Sequence, residues 1–166
     1  MGKIIIVMGV TGSGKTTVGK LLAQELSWPF YDADDYHPLS NMEKIRNGTP
    51  LTDEDRLPWL QSLRALMERI LVEDGSAVLT CSALKKAYRD ILLFRDPRVQ
   101  FVYLRGEPDL IRKRVDARTN HYAGSAILQN QFETLEEPAG ALAVDIDQDP
   151  STIVSTILKL LMGSPS

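Results

Sequence analysis

Cysteine is almost absent from this chain, which has one such residue, Cys81, among 166. A single cysteine excludes an intramolecular disulfide and a cysteine-rich metal site. No pattern that would activate a thiolate accompanies Cys81, so we expect it to be a small core residue. A chain with this cysteine content suits a reducing compartment, and we expect a cytoplasmic protein.

Long hydrophobic runs and a strong net charge are also missing. The apolar run Ile4–Val10 is too short to span a bilayer, which takes about 18 residues, and no small-residue cleavage site follows it. The net charge is only −3, which gives no electrostatic reason to expect nucleic acid as a partner. We therefore expect a protein without a membrane segment whose partner is a small molecule.

Short apolar runs alternate with helical patterns along the chain. This alternation predicts an α/β fold in three layers, with helices on both faces of a mostly parallel five-stranded sheet. The length of 166 residues favours one domain, residues 1–166. The predicted strands are Lys3–Met8, Phe30–Ala33, Ala77–Cys81, Val99–Leu104 and the less pronounced run Leu142–Ile146.

Directly after the first predicted strand, residues 9–16 match the phosphate-binding pattern G-x-x-x-x-G-K-[ST]. Backbone N–H groups of such a loop surround phosphate oxygens, Lys15 reaches the outer phosphates, and the Thr16 hydroxyl is suited to Mg²⁺. A Gly-rich turn that binds nothing is the alternative, but the flanking strand and helix favour a nucleotide site. The predicted nucleotide-binding residues are Gly9, Thr11, Gly12, Ser13, Gly14, Lys15, Thr16 and Thr17.

Two carboxylates follow the second predicted strand. On an extended backbone Asp32 and Asp34 would point to the same side, towards the phosphate loop. Asp32 could reach Mg²⁺ through water, and Asp34 could hold and deprotonate an acceptor hydroxyl. The alternative is that these acidic residues only mark the end of a strand and have no role in binding or catalysis. His37 lies next in sequence and is a candidate for substrate contact or for a purely local hydrogen bond.

Cations at the starts of helices are candidates for binding an anionic substrate group. A cation at this position is unfavourable to the helix dipole, and a nearby anion would explain its presence. Arg56 lies in the first turn of a helix predicted to begin near Asp53 and to be capped by Thr52 or Asp53. Lys85 and Arg89 follow Ser82, which we expect to cap another helix. A solvated helix face would explain the same residues.

A basic helix that begins near Pro108 carries Arg114 and Arg118 four residues apart, on one face. The polar segment 119–126 that follows is predicted to be a mobile lid that closes over the transferring phosphoryl group. An ordinary exposed basic helix is the alternative.

Several segments resemble the gluconokinases, phosphate-loop kinases related to shikimate kinase. They are the phosphate loop, D-A-D-D-Y-H-P, N-G-T-P-L-T-D-E-D-R-L-P-W-L, C-S-A-L-K-K-A-Y-R-D, R-x-x-x-R-x-x-H, Q-F-E-T-L-E-E-P and V-D-I-D, which together span nearly the whole chain. The segment around the lid histidine departs slightly from the family's usual pattern.

The resemblance implies a phosphate-loop kinase fold, with substrate-side helices around residues 37–72, and ATP- and Mg²⁺-dependent phosphorylation of D-gluconate on its 6-hydroxyl, in a homodimer. It makes Lys15, Asp34, Arg114 and Arg118 catalytic candidates. Its substrate-binding candidates are Asp34, His37, Arg56, Lys85, Arg89, His121 and Gln131, and its metal candidates are Thr16 and Asp32. A kinase for another small acceptor, such as shikimate or a nucleoside monophosphate, and a non-catalytic ATP-binding regulator are the open alternatives.

Overall fold

Five parallel strands form the centre of the molecule. The computed structural model describes residues 2–93, 95–118 and 122–162. All four strand pairings within them are parallel, which confirms the predicted sheet and makes this part of it entirely parallel. The strands are β1 (Ile4–Met8), β2 (Phe30–Asp32), β3 (Ala77–Thr80), β4 (Val99–Arg105) and β5 (Leu142–Asp145).

The order of the strands across the sheet is β2-β3-β1-β4-β5. β3 therefore separates β1 from β2, with Thr80 opposite Val7 on one side and Asp32 on the other. The phosphate loop follows β1, the first carboxylate ends β2, and the start of a third loop follows β3. These three carboxyl ends lie side by side, where open parallel sheets bind ligands.

Helices cover both faces of the sheet. In the described residues they are α1 (Lys15–Leu26), α2 (Leu39–Arg46), α3 (Asp53–Val72), α4 (Lys86–Ile91), α5 (Pro108–Arg118), α6 (Tyr122–Thr134) and α7 (Pro150–Met162), with a short 3-10 helix at Ala33–Tyr36. None of these helices is both long enough and apolar enough to cross a membrane.

Alternation along the strands divides the core between the two faces. On one face, Ile5 and Val7 pack with buried residues of α1, α5, α6 and α7. On the other, Ile4, Ile6 and Met8 pack with residues of α3 and α4. The predicted three-layer α/β/α architecture is confirmed by this arrangement.

Helix α4 begins later than the sequence predicted. Its first residue is Lys86 and its N-cap position is Lys85, so the prediction that Ser82 caps this helix was wrong. Ala83 has a φ of 46°, in the left-handed region, and a right-handed helix cannot start through it. Ser82 is consequently a loop residue at the carboxyl end of β3.

The predicted lid segment is described in part. Its described part, residues 122–126, belongs to α6, in keeping with the helix formers Ala123, Ala126 and Leu128. Residues 119–121, which include His121, lie outside the described residues. A mobile lid at residues 119–126 stays a prediction.

Candidate active site

The phosphate loop turns sharply between β1 and α1, and glycine makes the turn possible. Gly14, the N-cap of α1, has a φ of 96°, a conformation that side chains with a Cβ rarely adopt. At Gly9 a Cβ would lie 2.7 Å from Ser13 Oγ, so the loop can close only without one. Lys15 Nζ lies over the loop and donates to the carbonyl oxygens of Gly9 at 2.9 Å and Val10 at 3.1 Å.

A cavity of about 210 Å³ lies beside this loop. It brings the predicted phosphate and metal ligands together with both carboxylates. Its lining residues are Thr11, Gly12, Gly14, Lys15, Thr16, Thr17, Asp32, Asp34, Thr80, Cys81, Ser82 and Gln131. Gly9 shapes the loop from below, and Ser13, which is buried, lines a different cavity next to it.

Thr16 and Asp32 lie on this cavity in a way that fits Mg²⁺. No group of three or more His, Cys, Asp or Glu side chains in the described part of the chain could hold a metal ion by itself. Mg²⁺ commonly takes only one or two protein oxygens and completes its shell with water and phosphate. One hydroxyl and one carboxylate beside a phosphate loop are such a donor set.

Asp32 and Asp34 lie close together because of a short 3-10 helix, and not because of the extended backbone that the sequence predicted. Asp34 is not on a strand, because Asp32 ends β2 and caps the 3-10 helix by accepting the Asp34 N–H at 2.9 Å. The surrounding cleft and the charge of Asp32 raise the pKa of Asp34, and Lys15 partly opposes them. Water screens this effect, since 81% of the Asp34 side chain is accessible.

His37 lies near Asp34 and contacts side chains from more than one element. Its ring stacks on Trp59 at a centroid distance of 4.2 Å, and its Nε2 lies 4.0 Å from Asp34 Oδ1. Burial, together with the positive charge of Arg56, lowers the pKa of His37 to about 4. The imidazole is therefore neutral near pH 7.

A second cavity, of about 300 Å³, adjoins the first and shares Thr11, Asp34, Ser82 and Gln131 with it. Its lining includes His37, which follows the 3-10 helix, and Arg56 and Trp59 of α3. Among its described lining residues, Arg56 is the one side chain with a permanent positive charge.

Tyr88 and Asp53 hold Arg56 in place. Arg56 Nη1 donates to the Leu51 carbonyl at 2.8 Å and to the Tyr88 hydroxyl at 3.0 Å. The Tyr88 hydroxyl in turn donates to Asp53, which also forms an ion pair with Lys85 at 3.0 Å. The cation of Arg56 is thus fixed at the cavity wall by neighbours that the sequence did not connect.

The other two proposed carboxylate-binding cations lie elsewhere. Lys85 is occupied by Asp53, and Arg89 is 3% exposed and donates to the carbonyl oxygens of Ala83 and Leu84. Neither residue lines the two adjoining cavities. The contacts of Arg89 give it a structural role, because its guanidinium satisfies the backbone of the turn that precedes α4.

Arg114 lies on a third cavity, of about 370 Å³, together with Ser13, Ala117, Gln148 and Pro150. This cavity shares Gly12, Gly14 and Thr17 with the first one but includes neither Asp32 nor Asp34. Arg114 Nη2 donates to the Ile146 carbonyl at 2.9 Å. The structure therefore does not bring Arg114 to the carboxylates. The side chain of Arg118 lies outside the described residues.

The sequence is similar to those of known kinases over most of its length. A sequence model of the shikimate kinase family matches residues 11–161. A probable gluconokinase of Xenopus tropicalis is 44% identical, over 93% of this chain and 90% of its own length. The thermoresistant gluconokinase of Escherichia coli is 41% identical, over 95% of this chain and 93% of its own. The chain belongs to the gluconokinase family.

The fold agrees as well. The crystal structure of a gluconokinase from Sinorhizobium meliloti superposes with a TM-score of 0.80 at 38% identity, covering 98% of both chains. The resemblance to gluconokinases and the phosphate-loop kinase fold are therefore confirmed.

Some residues of this gluconokinase-family site were not found from the sequence. Ser82 lines both adjoining cavities, yet its position before a basic helix suggested a cap. Asn41 and Tyr88 hold His37 and Arg56, and nothing in their spacing pointed to the site. Gln131, proposed from the resemblance alone, accepts the Thr11 N–H at 2.6 Å and so ties α6 to the phosphate loop.

Proposed function

We propose that this chain is a gluconokinase that transfers the γ-phosphoryl group of ATP to the 6-hydroxyl of D-gluconate. The products are 6-phospho-D-gluconate and ADP. The observation that carries the proposal is the position of Asp34, on the wall shared by a phosphate-loop cavity and a second cavity that contains an arginine. Full-length relatives that are gluconokinases supply the acceptor.

The phosphate-loop cavity is the ATP end of the site. Backbone N–H groups of the loop and Lys15 would bind the β- and γ-phosphates, while Thr16 and Asp32 would hold Mg²⁺. When bound, Mg²⁺ neutralises charge on the transferring phosphoryl group. The third cavity continues from the same loop towards Arg114, and we assign the nucleoside to it. A catalytic role for Arg114 and Arg118 stays a prediction.

The second cavity is the acceptor end. Asp34 would accept the proton of the attacking hydroxyl, and its raised pKa brings it closer to that task than an ordinary aspartate. Arg56 would bind the gluconate carboxylate, because a guanidinium pairs with a carboxylate through two parallel hydrogen bonds. Its contacts to Leu51 and Tyr88 both use Nη1, and a guanidinium has five N–H donors.

Purified protein tests this proposal directly. It would be incubated with Mg²⁺ and ATP, with D-gluconate, shikimate, AMP or no acceptor, while ADP release is followed. We expect release that depends on D-gluconate. The Lys15→Ala and Asp34→Asn variants should each lower it strongly, and Asp34→Asn should still bind ATP.

The remaining outcomes decide between the alternatives. Shikimate-dependent release would favour the activity named by the matching family model. ATP binding without any acceptor-dependent release would favour a non-catalytic regulator. For the working state we propose a homodimer, on the basis of the resemblance alone, in the cytoplasm, on the basis of the single cysteine. Gel filtration with light scattering tests the mass of the assembly.

A further inference from the structure

Asn41 is a buried polar residue of α2, 2% exposed, and its amide links two elements of the site. Its Nδ2 lies 2.8 Å from the Asp55 carbonyl oxygen and 3.2 Å from His37 Nδ1. A backbone carbonyl can only accept a hydrogen bond, so the atom facing it must be the amide nitrogen. The second hydrogen of the same nitrogen is then directed at His37 Nδ1.

This contact determines which nitrogen of His37 carries the proton. A neutral imidazole has one donor and one acceptor nitrogen. Because Nδ1 accepts from Asn41, the proton lies on Nε2, and Nε2 is the atom 4.0 Å from Asp34 Oδ1. The stack on Trp59, whose indole N–H donates to the Ala33 carbonyl at 2.7 Å, fixes the plane of the ring.

We propose that Asn41 is a positioning residue that holds His37 as the Nε2–H tautomer, so that His37 donates a hydrogen bond to the acceptor hydroxyl. The inference rests on the proposed kinase function and deepens its acceptor site. It assigns a role to a residue of α2 that lines neither of the two adjoining cavities.

The chemistry of a hydroxyl explains why this donor matters. The oxygen has one proton and two lone pairs. With its proton directed to Asp34 and one lone pair bonded to His37 Nε2–H, the other lone pair is left to face the γ-phosphorus. The new O–P bond forms as the bond to the β–γ bridging oxygen breaks. The hydroxyl proton passes to Asp34, and His37 keeps its own proton throughout.

Nitrogen-15 NMR of the unmodified protein tests the tautomer without any turnover. The chain contains two histidines, so the imidazole spectrum is simple, and a His121→Gln variant assigns it. We expect a protonated Nε2 and an unprotonated Nδ1 for His37 near pH 7. A protonated Nδ1 would overturn the inference and would leave the proposed function standing.

The Asn41→Asp variant tests the consequence for catalysis. A carboxylate at this position accepts a hydrogen bond from Nδ1 and raises the pKa of His37. At pH 8 the neutral ring then carries its proton on Nδ1, and we expect kcat with gluconate to fall about tenfold, the size of one lost hydrogen bond, while KM for ATP is unchanged. Below the raised pKa both nitrogens carry protons, the donor at Nε2 returns, and the loss should shrink.

The pH dependence of kcat tests this role of Asn41. In the unmodified protein the pKa of His37 is about 4, so its donor state does not change across this pH range. The charged groups that face His37 are Asp34 from the 3-10 helix and Arg56 from α3, and both are the same in the two proteins. The substitution also removes the donor to the Asp55 carbonyl, and thermal unfolding of the variant measures that structural effect separately. A loss of kcat that does not shrink on acidification would contradict the inference.

A double substitution tests whether Asn41 acts through His37. His37→Gln places an amide donor in the site that does not depend on a tautomer, so adding Asn41→Asp to it should cost little further activity. A full tenfold further loss would mean that Asn41 acts through another residue. If unmodified protein releases ADP without regard to gluconate, the proposed function fails, and the NMR result still decides the tautomer.

Discussion

At the scale of single residues, the position of Asp34 combines two opposing demands. In the proposed mechanism catalysis needs a carboxylate beside the transferring phosphate, yet the cleft and the charge of Asp32 raise the pKa of Asp34 and so disfavour its charged form in the folded protein. A raised pKa in the folded state means that the ionised group reduces stability above the ordinary pKa. Function and stability therefore pull in opposite directions at this residue.

The Asp34→Asn variant should accordingly be more stable and less active than the unmodified protein. At pH 7 we expect a higher Tm, since the repulsion from Asp32 is relieved, and the gain is small because water screens it. The gain should shrink as the pH falls towards 3.8, the ordinary value for aspartate, where the unmodified side chain also becomes neutral. Thermal unfolding at several pH values measures this, and Asp147→Asn, at an exposed position outside the cavities, is the matched control. A lower Tm at pH 7 would contradict the reasoning.

Arg56 allows a second prediction at this scale, about the gluconate carboxylate. Lysine keeps the charge but loses the planar pair of donors and the bond to Tyr88, so Arg56→Lys should raise KM for gluconate roughly tenfold to a hundredfold. KM for ATP should stay the same. Steady-state kinetics measures both constants, and Arg46→Lys, an exposed residue outside the cavities, is the control. An unchanged KM for gluconate would move the carboxylate site away from Arg56.

At the scale of elements, the start of α3 supports the acceptor cavity. Thr52 and Asp55 form a capping box, in which Thr52 Oγ1 accepts the Asp55 N–H at 3.0 Å and Asp55 Oδ2 accepts the Thr52 N–H at 2.9 Å. The same turn carries Asp53 and Arg56 and offers the Asp55 carbonyl to Asn41. The cap therefore positions Arg56, the proposed substrate contact, as well as starting the helix.

Thr52→Ala should reveal both effects. Loss of one cap oxygen should lower the free energy of unfolding by about 1 kcal/mol. Because Arg56 lies one turn further on, KM for gluconate should rise more than KM for ATP. Urea denaturation and steady-state kinetics measure these changes, and Thr52→Ser, which keeps the hydroxyl, should resemble the unmodified protein. Equal changes in both KM values would argue against a link between the cap and the acceptor site.

The segment Q-F-E-T-L-E-E-P shows how a stretch without obvious chemistry can serve the site through its contacts. Gln131 on α6 accepts the Thr11 N–H of the phosphate loop. Glu136 accepts the Lys86 N–H at 2.7 Å, supplying the cap for α4 that Ser82 does not provide. One segment thereby connects the phosphate loop, the end of α6 and the loop after β3.

At the scale of the whole molecule, two cores share one sheet. Leu22 on α1 is fully buried on one face and Leu63 on α3 on the other. Since the strands between them contribute alternate residues to both cores, neither face can lose its packing without disturbing the other. We therefore expect residues 1–166 to unfold as one domain.

Leu22→Ala and Leu63→Ala test this expectation together. Each should lower the free energy of unfolding by about 2–5 kcal/mol, through lost burial and the cavity left behind. Each should also shift a single transition seen by circular dichroism and fluorescence alike. Val72→Ala, at an 83% exposed position, is the control and should change little. Two separate transitions would show that the faces unfold independently.

Local sequence was enough to predict the strands, most of the helices and the proposed nucleotide end of the site. Strand and helix periodicity, the capping residue Thr52 and the pattern from Gly9 to Thr16 are local signals, because each depends on neighbours a few residues away. Local sequence therefore predicted the strand–loop–helix unit that brings Lys15 and Thr16 to the first cavity. The characteristic segments further along the chain also predicted the family.

The proposed acceptor end depends on long-range packing that local sequence does not predict. The placement of β3 between β1 and β2 brings Ser82 beside Asp34, and this order is set by long-range strand pairing. In the same packing Arg56 lines the second cavity, Lys85 forms an ion pair with Asp53, and Arg89 is buried. These three cations look equivalent in sequence but have different surroundings in the fold. Each pairs with the groups that neighbouring elements place near it. Those groups can be far away in the chain, so no local pattern predicts the pairing.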